Sequence, residues 1–542
     1  MKSKIDFNSN LDVIKWLEKK IYVKNSRGKN ILDLLEYKGN SLFFTVFLDL
    51  VVQLNNKILL FEENQSFLGK LGITKKLRDW NSGVVGLVAK VLYRIELRKK
   101  TKKKKILFFT YAGAWRPLVD ENGNKTKKGD FNQGQLMDEI SKLNKDFELV
   151  TVAPIGKIND KKSVFETLSR VLFQKHRHIP LEAFWSSEVK KKTYAFGDIL
   201  SRRWEEFISS EKNHFGKESF GSDKIGKKIK LYLDAFVKNY YFGVVRNFEL
   251  VERLICKEKP DLIVVTNNGS HFWKVIIQVA KLNGIKVISL QHAIMLEKDI
   301  AYYCFEPNGK IVDLIPDKIA VYGKDDKEFI IKNFNYPKEK IVITGPYAYD
   351  FLFKLEKTFD RKKYLSTLSL DLLKKTVFFA AQFRFSPFIE LDEIVMKELK
   401  KVDKAVNIII KPHPRGDFSQ YAKWIKNNNL NAVLLDSLDM PYNAILASDL
   451  VISFPSTIVF EAVILQRECL MLNVEIGGEK AFWDKNKNVF VTDKPKEIYR
   501  SVNNLVNSKG KAIGKKEDIT NLVYKTDGNA FQRILKLMEK EI

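Results

Sequence analysis

Short apolar runs rich in β-branched residues alternate with segments of helical periodicity along most of the chain. This alternation constrains the fold more than any other feature of the sequence. A first block of runs covers residues 106–111, 147–154, 260–266, 286–290, 317–323 and 340–346, and a second covers 376–381, 407–410, 432–435, 450–453, 469–473 and 488–492. Strands that alternate with helices are typical of parallel sheets covered on both faces. The sequence therefore predicts an α/β fold with two Rossmann-like, doubly wound domains.

The length also requires more than one domain, since 542 residues exceed the roughly 250–300 at which a single core stops growing. We predict a helical N-terminal extension over residues 1–103, because apolar residues recur there at helical spacing and no motif is visible. A Rossmann-like domain follows over 104–315, with an aromatic-rich helical insertion at about 160–255. The second Rossmann-like domain covers 316–542.

Composition narrows the class of protein. Three cysteines, Cys256, Cys304 and Cys469, form neither a disulfide framework nor paired zinc-ligand spacing, which fits a reducing cytoplasm. The amino terminus lacks the apolar stretch of a signal peptide. No run reaches the roughly 18–20 apolar residues that cross a bilayer. We therefore expect a cytoplasmic protein.

The chain is strongly basic, with a formal charge of +27 from 93 basic and 66 acidic residues. Such a charge favours an anionic partner, namely a nucleic acid, a membrane surface or a polyanionic substrate, or else reflects solvated lysine faces. The densest basic run, residues 98–105, directly follows an apolar helical segment, and such clusters attract anionic lipids. We predict peripheral contact with the anionic inner membrane face through this run, and no nucleic acid as partner.

Two strand ends in the second block carry candidate donor-site residues. The run at 406–410 stops at Lys411, followed by Pro412, His413, Pro414 and Arg415. Proline cannot continue a central strand, so His413 is expected in the loop at the carboxyl edge of the sheet. Open parallel sheets bind ligands at this edge.

The other strand, at 450–453, ends in a serine-rich turn with Ser453, Ser456 and Thr457, and Glu461 follows one helical turn later. Ser456 or Thr457 fits the N-cap of the next helix. A helix start offers N–H groups and a positive dipole end to a phosphate. Glu461 would reach the hydroxyls of a ribose.

The first block offers candidates for the acceptor side. The strand at 286–290 ends in Gln291 and His292, and His271 follows a Gly-Ser turn. A loop of about 20 residues after the first strand contains Trp115 and Arg116, and loops of this length are often functional. The turn there has one glycine and lacks G-x-G-x-x-G, so a tightly bound dinucleotide is disfavoured.

No cofactor or metal is expected, because no Asp-x-Asp pair stands at a strand end. The pair Asp325 and Asp326 falls at a helix start and is interpreted as a cap. The acceptor hydroxyl needs a general base. The candidates are His292, Asp130 and Glu306, and the sequence does not choose among them.

Taken together, two Rossmann-like halves, Gln291-His292, the 411–414 Lys-Pro-His-Pro motif and the serine-rich turn with Glu461 resemble the glycosyltransferase-B fold. Within it the chain is most similar to enzymes of bacterial surface polymers. These are capsule polysaccharide transferases, His-Pro-motif sialyl- and polysialyltransferases, and teichoic-acid glycerophosphotransferases. The resemblance covers roughly residues 260–500.

The resemblance implies roles for individual residues. It places His413, Ser456 and Thr457 on the donor's phosphate and Glu461 on its ribose. The loop with Gln382 and Arg384 would face the leaving group. In relatives the Gln-His pair is commonly followed by glycine, whereas this chain has Ala293.

The leading hypothesis is a transferase that moves a sugar from a nucleotide-sugar donor to a surface glycan or a lipid-linked acceptor. The alternatives are a polyol-phosphate transferase of the CDP-glycerol type and a sugar-nucleotide 2-epimerase. A hypothesis from a different class is a basic nucleic-acid-binding protein, although no module of that kind is recognisable.

Overall fold

The computed structural model describes residues 14, 24, 27–46, 51, 74–111, 114–119, 125–155, 161–209, 233–266, 270–293, 295, 300–304, 314–381, 389–413, 418–436, 439–472, 486–507 and 518–542. Its strands are, in chain order, β1 (Glu36–Tyr37), β2 (Asn40–Ser41), β3 (Lys104–Phe109), β4 (Trp115–Val119), β5 (Lys125–Asp130), β6 (Phe147–Ala153), β7 (Arg177–Pro180), β8 (Leu262–Val265), β9 (Lys286–Leu290), β10 (Lys318–Val321), β11 (Ile341–Ile343), β12 (Thr376–Ala380), β13 (Asn407–Lys411), β14 (Val433–Leu434), β15 (Leu450–Ser453), β16 (Glu468–Leu472) and β17 (Val489–Thr492).

The α-helices are, in chain order, α1 (Ile31–Leu34), α2 (Thr74–Glu96), α3 (Gly134–Leu143), α4 (Lys161–Phe173), α5 (Ser187–Ser209), α6 (Tyr241–Glu258), α7 (His271–Leu282), α8 (Lys324–Phe334), α9 (Asp350–Thr358), α10 (Arg361–Thr367), α11 (Ile389–Lys400), α12 (Phe418–Asn427), α13 (Tyr442–Ala447), α14 (Thr457–Ile464), α15 (Lys496–Asn507), α16 (Thr520–Val523) and α17 (Ala530–Glu541). A π-helical turn, Phe236–Tyr240, leads into α6. None of the helices that the model describes is long and apolar enough to cross a membrane.

The first sheet has seven parallel strands in the order β11-β10-β9-β8-β3-β6-β7. Numbered by chain order from the β7 edge, this order is 3-2-1-4-5-6-7. The direction of winding reverses between β3 and β8, so the loops that follow these two strands diverge. Ligands bind in the crevice that such a switch point opens at the carboxyl edge.

The second sheet repeats this plan with six parallel strands in the order β14-β13-β12-β15-β16-β17. The same numbering gives 3-2-1-4-5-6, and the switch point lies between β12 and β15. The middle residues of its central strands are apolar and buried, as in Ile408, Ile409 and Ile410 of β13. Burial on both faces explains why these strands are continuous apolar runs in the sequence.

The chain ends on the first sheet after it has completed the second. The apolar side of α17, with Ile534, Leu535 and Met538, packs in one core with Ile106 and Phe108 of β3. Fully burying such side chains contributes about 1.5–3 kcal/mol each. The C-terminal helix therefore joins the two halves of the molecule.

A second link between the halves is a close backbone approach at Gly323, the residue before α8. A Cβ atom at this position would lie 2.1 Å from the carbonyl oxygen of Asn521 and 2.3 Å from that of Leu522. Only glycine permits this contact. The segment containing α16 is thereby held against the end of β10.

The predicted fold class is confirmed, since two parallel doubly wound sheets are present. The sheet boundary differs from the predicted domain boundary at 315/316. Strands β10 and β11 lie after it and pair with β9 and with each other in the first sheet. The sequence pattern placed the runs at 317–323 and 340–346 in the first block, and the pairing of β10 with β9 agrees with that assignment.

Three regions predicted as helix or loop also contain strands. Within the helical insertion, β7 pairs with β6 at the edge of the first sheet. In the N-terminal extension, β1 and β2 form a short antiparallel pair. The long loop after β3 contains the antiparallel pair β4 and β5. These strands are short or polar, so no apolar periodicity marks them.

Candidate active site

The carboxyl edge of the second sheet brings the predicted donor residues together. Strand β12 lies between β13 and β15, and Ala380 is in register with Lys411 on one side and with Ser453 on the other. Adjacent strands lie about 4.8 Å apart, so these two strand ends are roughly 10 Å from each other. The space between them is the switch point of this sheet.

Helix α14 points its first turn at this space. Ser456 occupies the N-cap position with extended backbone angles, but no side chain caps the helix. The Ser456 hydroxyl instead lies 3.1 Å from the Ser453 hydroxyl. The N–H of Val459 donates to the carbonyl of Ser456 at 3.2 Å, and the positive end of the helix dipole would favour an anion in this space.

Glu461 lies one turn into the same helix and is only 5% exposed. Burial raises the pKa of its carboxyl to about 8, against the opposing charge of Lys411. Among the residues that the structure describes, none hydrogen-bonds its carboxyl oxygen Oε2. A buried polar atom without a partner costs about 1–3 kcal/mol, which a ligand hydroxyl would recover.

Among the residues of the Lys-Pro-His-Pro motif, Lys411 is the one whose charge acts on this carboxyl. Lys411 ends β13, is 7% exposed, and its Nζ donates to the carbonyl of Pro412 at 3.2 Å. His413 follows in the loop and is partly buried. The side chains of Arg415, Gln382 and Arg384 lie outside the described residues.

The carboxyl edge of the first sheet presents His292 beside the β8 strand end. Burial lowers the pKa of this imidazole below its ordinary value of 6.5, partly offset by a hydrogen bond to the backbone of Thr266. Its Nδ1 is buried and has no partner within the described part of the chain, so the bond to Thr266 is made by Nε2–H. The ring is therefore neutral near pH 7 and presents the lone pair of Nδ1.

Asp130, a predicted candidate for the general base, has a different role. Its carboxylate pairs with Arg170 at 2.9 Å and accepts from the Thr110 hydroxyl at 2.7 Å. It also accepts from the backbone N–H groups of Asn132 and Gln133, each at 3.0 Å. Because both oxygens are engaged and the residue is 2% exposed, Asp130 holds the loop after β3 rather than accepting a substrate proton.

Trp115, predicted on the acceptor side, is part of the same buried cluster. It is 4% exposed, and the Arg170 guanidinium lies 5.1 Å from the centre of its ring. A ring face covered by the protein's own cation does not stack on a sugar. Burial and this cation contact favour a structural role for Trp115, and its contact with the acceptor stays a prediction.

Gln291, also predicted on the acceptor side, is fully buried. Its Oε1 accepts from the backbone N–H of Tyr322 at 2.8 Å, and its Nε2 donates to the carbonyl of Ala293 at 3.0 Å. These bonds fix the chain on both sides of His292. Gln291 thus positions His292 and does not face the acceptor.

The remaining predicted acceptor and base residues are less constrained. His271 is partly buried at the start of α7, next to the end of β8. Arg116 belongs to β4, and its side chain is not described. Glu306 lies outside the described residues. The roles predicted for these three residues stay predictions.

The sequence did not reveal the contact between the two edges. The ring of Tyr322, at the end of β10, stacks on Phe460 of α14 with centroids 5.7 Å apart. The ring of Tyr349 also packs on Phe460, with centroids 5.4 Å apart. The backbone N–H of Tyr322 also donates to Gln291. Two contacts, Phe460 with Tyr322 and Tyr322 with Gln291, therefore link helix α14 to the residue that fixes the chain around His292. Apolar patterning marks these aromatic residues as core and does not reveal which elements they join.

Asp326, interpreted from the sequence as a helix cap, belongs to this contact region. It lies in the first turn of α8 and is 3% exposed. Burial raises the pKa of its carboxyl to about 7, opposed by a hydrogen bond with Gln291. Among the residues that the structure describes, no group of three or more His, Cys, Asp and Glu side chains could hold a metal ion.

Two Rossmann-like sheets, each with polar side chains at its carboxyl edge, define a two-domain α/β protein of the glycosyltransferase-B type. The family model of CDP-glycerol:poly(glycerophosphate) glycerophosphotransferase matches residues 246–540. This match covers more than half of the chain, and the protein belongs to that family. The resemblance to transferases of bacterial surface polymers is thereby confirmed.

Solved structures are similar over most of the chain at low sequence identity. The UDP-GlcNAc 2-epimerase from Neisseria meningitidis is 15% identical with a TM-score of 0.48 and covers 81% of this chain and 100% of its own. The Methanocaldococcus jannaschii UDP-GlcNAc 2-epimerase is 13% identical with a TM-score of 0.46 over 81% and 99%. The wall teichoic acid polymerase TagF is 14% identical with a TM-score of 0.44 over 86% and 98%. No curated protein sequence matches the chain.

Proposed function

We propose that the protein transfers glycerol phosphate, or a related polyol phosphate, from a CDP-activated donor to a growing surface polymer. Membership of the glycerophosphotransferase family favours this donor over the nucleotide sugar predicted from the sequence. The observation that carries the proposal is the switch point of the second sheet. There an uncapped helix start and a buried, unpartnered carboxyl oxygen meet at one edge.

The donor's two phosphates bind at the start of α14, where N–H groups and the helix dipole attract negative charge. Lys411 and His413 supply positive charge from the neighbouring strand end, and Arg415 and Arg384 complete the cation set. The ribose hydroxyls bind Glu461, whose neutral carboxyl at pH 7 both donates and accepts hydrogen bonds.

The reaction is a substitution at phosphorus. The acceptor hydroxyl oxygen forms a bond to the phosphorus that carries the glycerol, and the bond from that phosphorus to the bridging oxygen breaks. CMP leaves with the bridging oxygen. His292 accepts the hydroxyl proton at Nδ1, the position that its bond to Thr266 leaves open. Charge that develops on CMP is stabilised by His413, Lys411 and the helix start.

A nucleotide-sugar transferase is the second candidate, because the same edge would bind the diphosphate of a UDP or GDP sugar. There the acceptor oxygen attacks the anomeric carbon and the nucleoside diphosphate leaves. The base and the phosphate site keep their roles. The two candidates differ in the released nucleotide, which makes them separable.

The acceptor is a surface glycan, a polyol-phosphate polymer or a lipid-linked precursor at the inner membrane face. The positive charge of residues 98–104 supports this location, because anionic lipids attract basic segments. Lys105, the last residue of the predicted basic run, is excluded from such contact. It is buried, and its Nζ binds the carboxylate of Glu258 at 2.7 Å.

The experiment measures thermal stabilisation and nucleotide release with CDP-glycerol, CDP-ribitol, CMP-sialic acid, UDP-GlcNAc and a GDP sugar. We expect stabilisation by a CDP-polyol, and release of CMP in the presence of a polymer acceptor. Release of UDP or GDP would favour the second candidate, and conversion of UDP-GlcNAc without acceptor would indicate an epimerase. Stabilisation by RNA or DNA alone, at physiological salt, would refute both transferase assignments.

A further inference from the structure

Helices α11 and α12 lie side by side on one face of the second sheet and form a cavity between them, the α11–α12 cavity. Val395 and Met396 of α11 and Tyr421 of α12 belong to one core with Phe379 of β12 and Ile410 of β13. The cavity has a volume of about 250 Å³. Pockets for drug-sized ligands measure roughly 300–1,000 Å³, so this one fits a single small molecule or one residue of a polymer.

A hydrogen bond between the two helices fixes the width of the cavity. The Tyr421 hydroxyl donates to Oδ2 of Asp392 at 2.5 Å, and both residues are buried, at 7% and 2% exposure. Met396, also buried, lines the cavity beside them. Because the protein's own contacts hold these three side chains, the cavity is formed before a ligand binds, which lowers the cost of binding.

The rim of the cavity carries an aromatic ring and polar groups. On α12, Gln420, Trp424 and Asn427 follow one another at helical spacing and therefore lie on the same side of the helix. Gln420 and Asn427 are exposed, and Glu393 lines the cavity from α11. The Trp424 side chain is partly buried against the core, so packing fixes the ring while part of it stays accessible.

The charges around the cavity disfavour an ionic ligand. Two carboxylates, Asp392 and Glu393, line it, and they would repel a phosphate. For an ammonium group, the Asp392 carboxylate is already engaged by the Tyr421 hydroxyl. Lys423 lines the same cavity, and the Nζ of Lys397 is 3.9 Å from the Glu393 carboxylate. The cavity therefore favours a neutral ligand that forms hydrogen bonds.

We propose that the α11–α12 cavity binds one neutral hexose residue of a surface glycan, as a second carbohydrate site outside the catalytic cleft. The apolar face of the sugar ring would pack on Trp424. Adjacent hydroxyls would donate to Glu393 and bond the amides of Gln420 and Asn427. An aromatic ring beside planar carboxylate and amide groups provides both kinds of contact at once.

The position of the cavity gives such a site a use in transfer. Helix α11 follows β12 and α12 follows β13, and the segments between them contain Gln382, Arg384 and His413. Helices that follow parallel strands begin at the carboxyl edge of the sheet, so the cavity adjoins the edge that carries the donor site. A sugar bound there would keep a long acceptor near this edge between rounds of transfer and raise its effective concentration. This use rests on the proposed function, whereas sugar binding itself does not.

The test is saturation-transfer NMR of the full chain with methyl glucoside, methyl galactoside and N-acetylglucosamine, followed by titration of the sugars that bind. We expect at least one sugar to bind, and CDP-glycerol not to displace it. Trp424→Ala should weaken binding about tenfold, because the aromatic contact is lost. Glu393→Ala/Asn427→Ala removes two groups of the rim without changing the core, and should weaken binding about fivefold. A thermal melt of each variant checks that it is folded.

Matched controls come from residues away from the cavity. Phe490→Ala removes an aromatic ring that is 51% exposed on β17, the far edge of the second sheet. Glu328→Ala removes a glutamate that, like Glu393, has a lysine four residues away on its helix, here Lys324 at 3.6 Å. Both should bind sugar as the unaltered protein does. All variants should release CMP normally with a short acceptor, so a failure of the sugar site is distinct from a failure of the proposed transferase activity.

Three results would overturn the proposal. The first is that none of the three sugars binds the folded protein. The second is undiminished sugar binding by both cavity variants. The third is displacement of the sugar by CDP-glycerol, which would place the bound sugar in the donor site.

Discussion

The two sheets share a strand order but differ in how the polar groups at their carboxyl edges are satisfied. Beside the first switch point, Asp130, Arg170 and Thr110 bind one another in a buried cluster under Trp115. Beside the second, Glu461 keeps an oxygen without a partner, and helix α14 has no side-chain cap. The same topology thus carries a carboxylate with both oxygens engaged in one half and, among the described residues, a carboxyl with one unengaged oxygen in the other.

The difference separates structural residues from binding residues. A buried polar group without a partner destabilises the unliganded protein, so it persists where a ligand supplies the missing bond. In the first half, among the described residues, Nδ1 of His292 meets this criterion, as do Nε1 of Trp115 and Nε of Arg170, whereas the carboxylate of Asp130 does not. Residue type alone does not distinguish His292 from Asp130, since both are suitable bases.

The largest expected effect is a loss of turnover when His292 of the first half is replaced. His292→Asn should lower turnover by about 10³-fold, because a positioned general base contributes between 10² and 10⁴. Donor binding should change little. His176→Asn is the matched control, because His176 belongs to the same half and its Nε2 lies 3.1 Å from the Oδ1 of Asp138. Initial rates and donor titration give the two quantities.

The pH profile adds a second readout for His292. Its pKa is lowered from 6.5, so the base is neutral at pH 7 and activity should fall only on acidification below about pH 6.5. The acid limb should disappear in His292→Asn. An unchanged acid limb in this variant would assign the proton transfer to another residue.

The next largest expected effect is a loss of stability when the buried pair of Asp130 and Arg170 in the first half is broken. Asp130→Asn should lower the free energy of unfolding by about 3–5 kcal/mol, because it leaves the buried Arg170 charge uncompensated. The double variant Asp130→Asn/Arg170→Met should recover much of the loss, since neither charge is then alone. Denaturant unfolding measures both. A stable Asp130→Asn protein with lost turnover would return Asp130 to the list of bases.

His413→Asn tests the carboxyl edge of the second half. We expect the donor KM to rise and turnover to fall about 10- to 100-fold, since a hydrogen bond to a charged group contributes about 1.5–3 kcal/mol. Folding should be unaffected because His413 is in a loop. Equal turnover and KM in the variant would remove His413 from the donor site.

The last prediction is a pH-dependent gain in the free energy of unfolding from Glu461→Gln. The folded-state pKa of about 8 exceeds the ordinary value of 4.5, so the folded protein binds more protons between these two pH values. Stability therefore falls as pH rises through this window. Glutamine removes this loss, so the variant should be more stable by up to about 5 kcal/mol at pH 9 and little changed at pH 4.

Thermal melts across this pH range measure the difference. The variant should also bind the donor more weakly, which distinguishes a ligand-binding carboxyl from one that only perturbs the core. Equal stability of both proteins at pH 9 would mean that the carboxyl is not desolvated.

The sequence alone determined the α/β class, both sheets and the donor edge. Parallel strands that are buried on both faces must be apolar runs, and a run such as 406–410 ends where proline and charge begin. The chemistry at the strand ends was therefore visible for Lys411, His413, Ser456 and Glu461. Their meeting at one edge follows from parallel pairing.

Only the tertiary structure decided which polar residues are satisfied and which are open. The pairing of Asp130 with Arg170 joins residues 40 positions apart, and the contact of Tyr322 with Phe460 joins the two halves. The pattern of apolar residues on α2 likewise does not show that Leu87, Val91 and Ile95 are exposed, because only packing against the rest of the protein decides which side of a helix is buried. Local patterning records the period of each element, whereas partners distant in sequence decide what each face contacts.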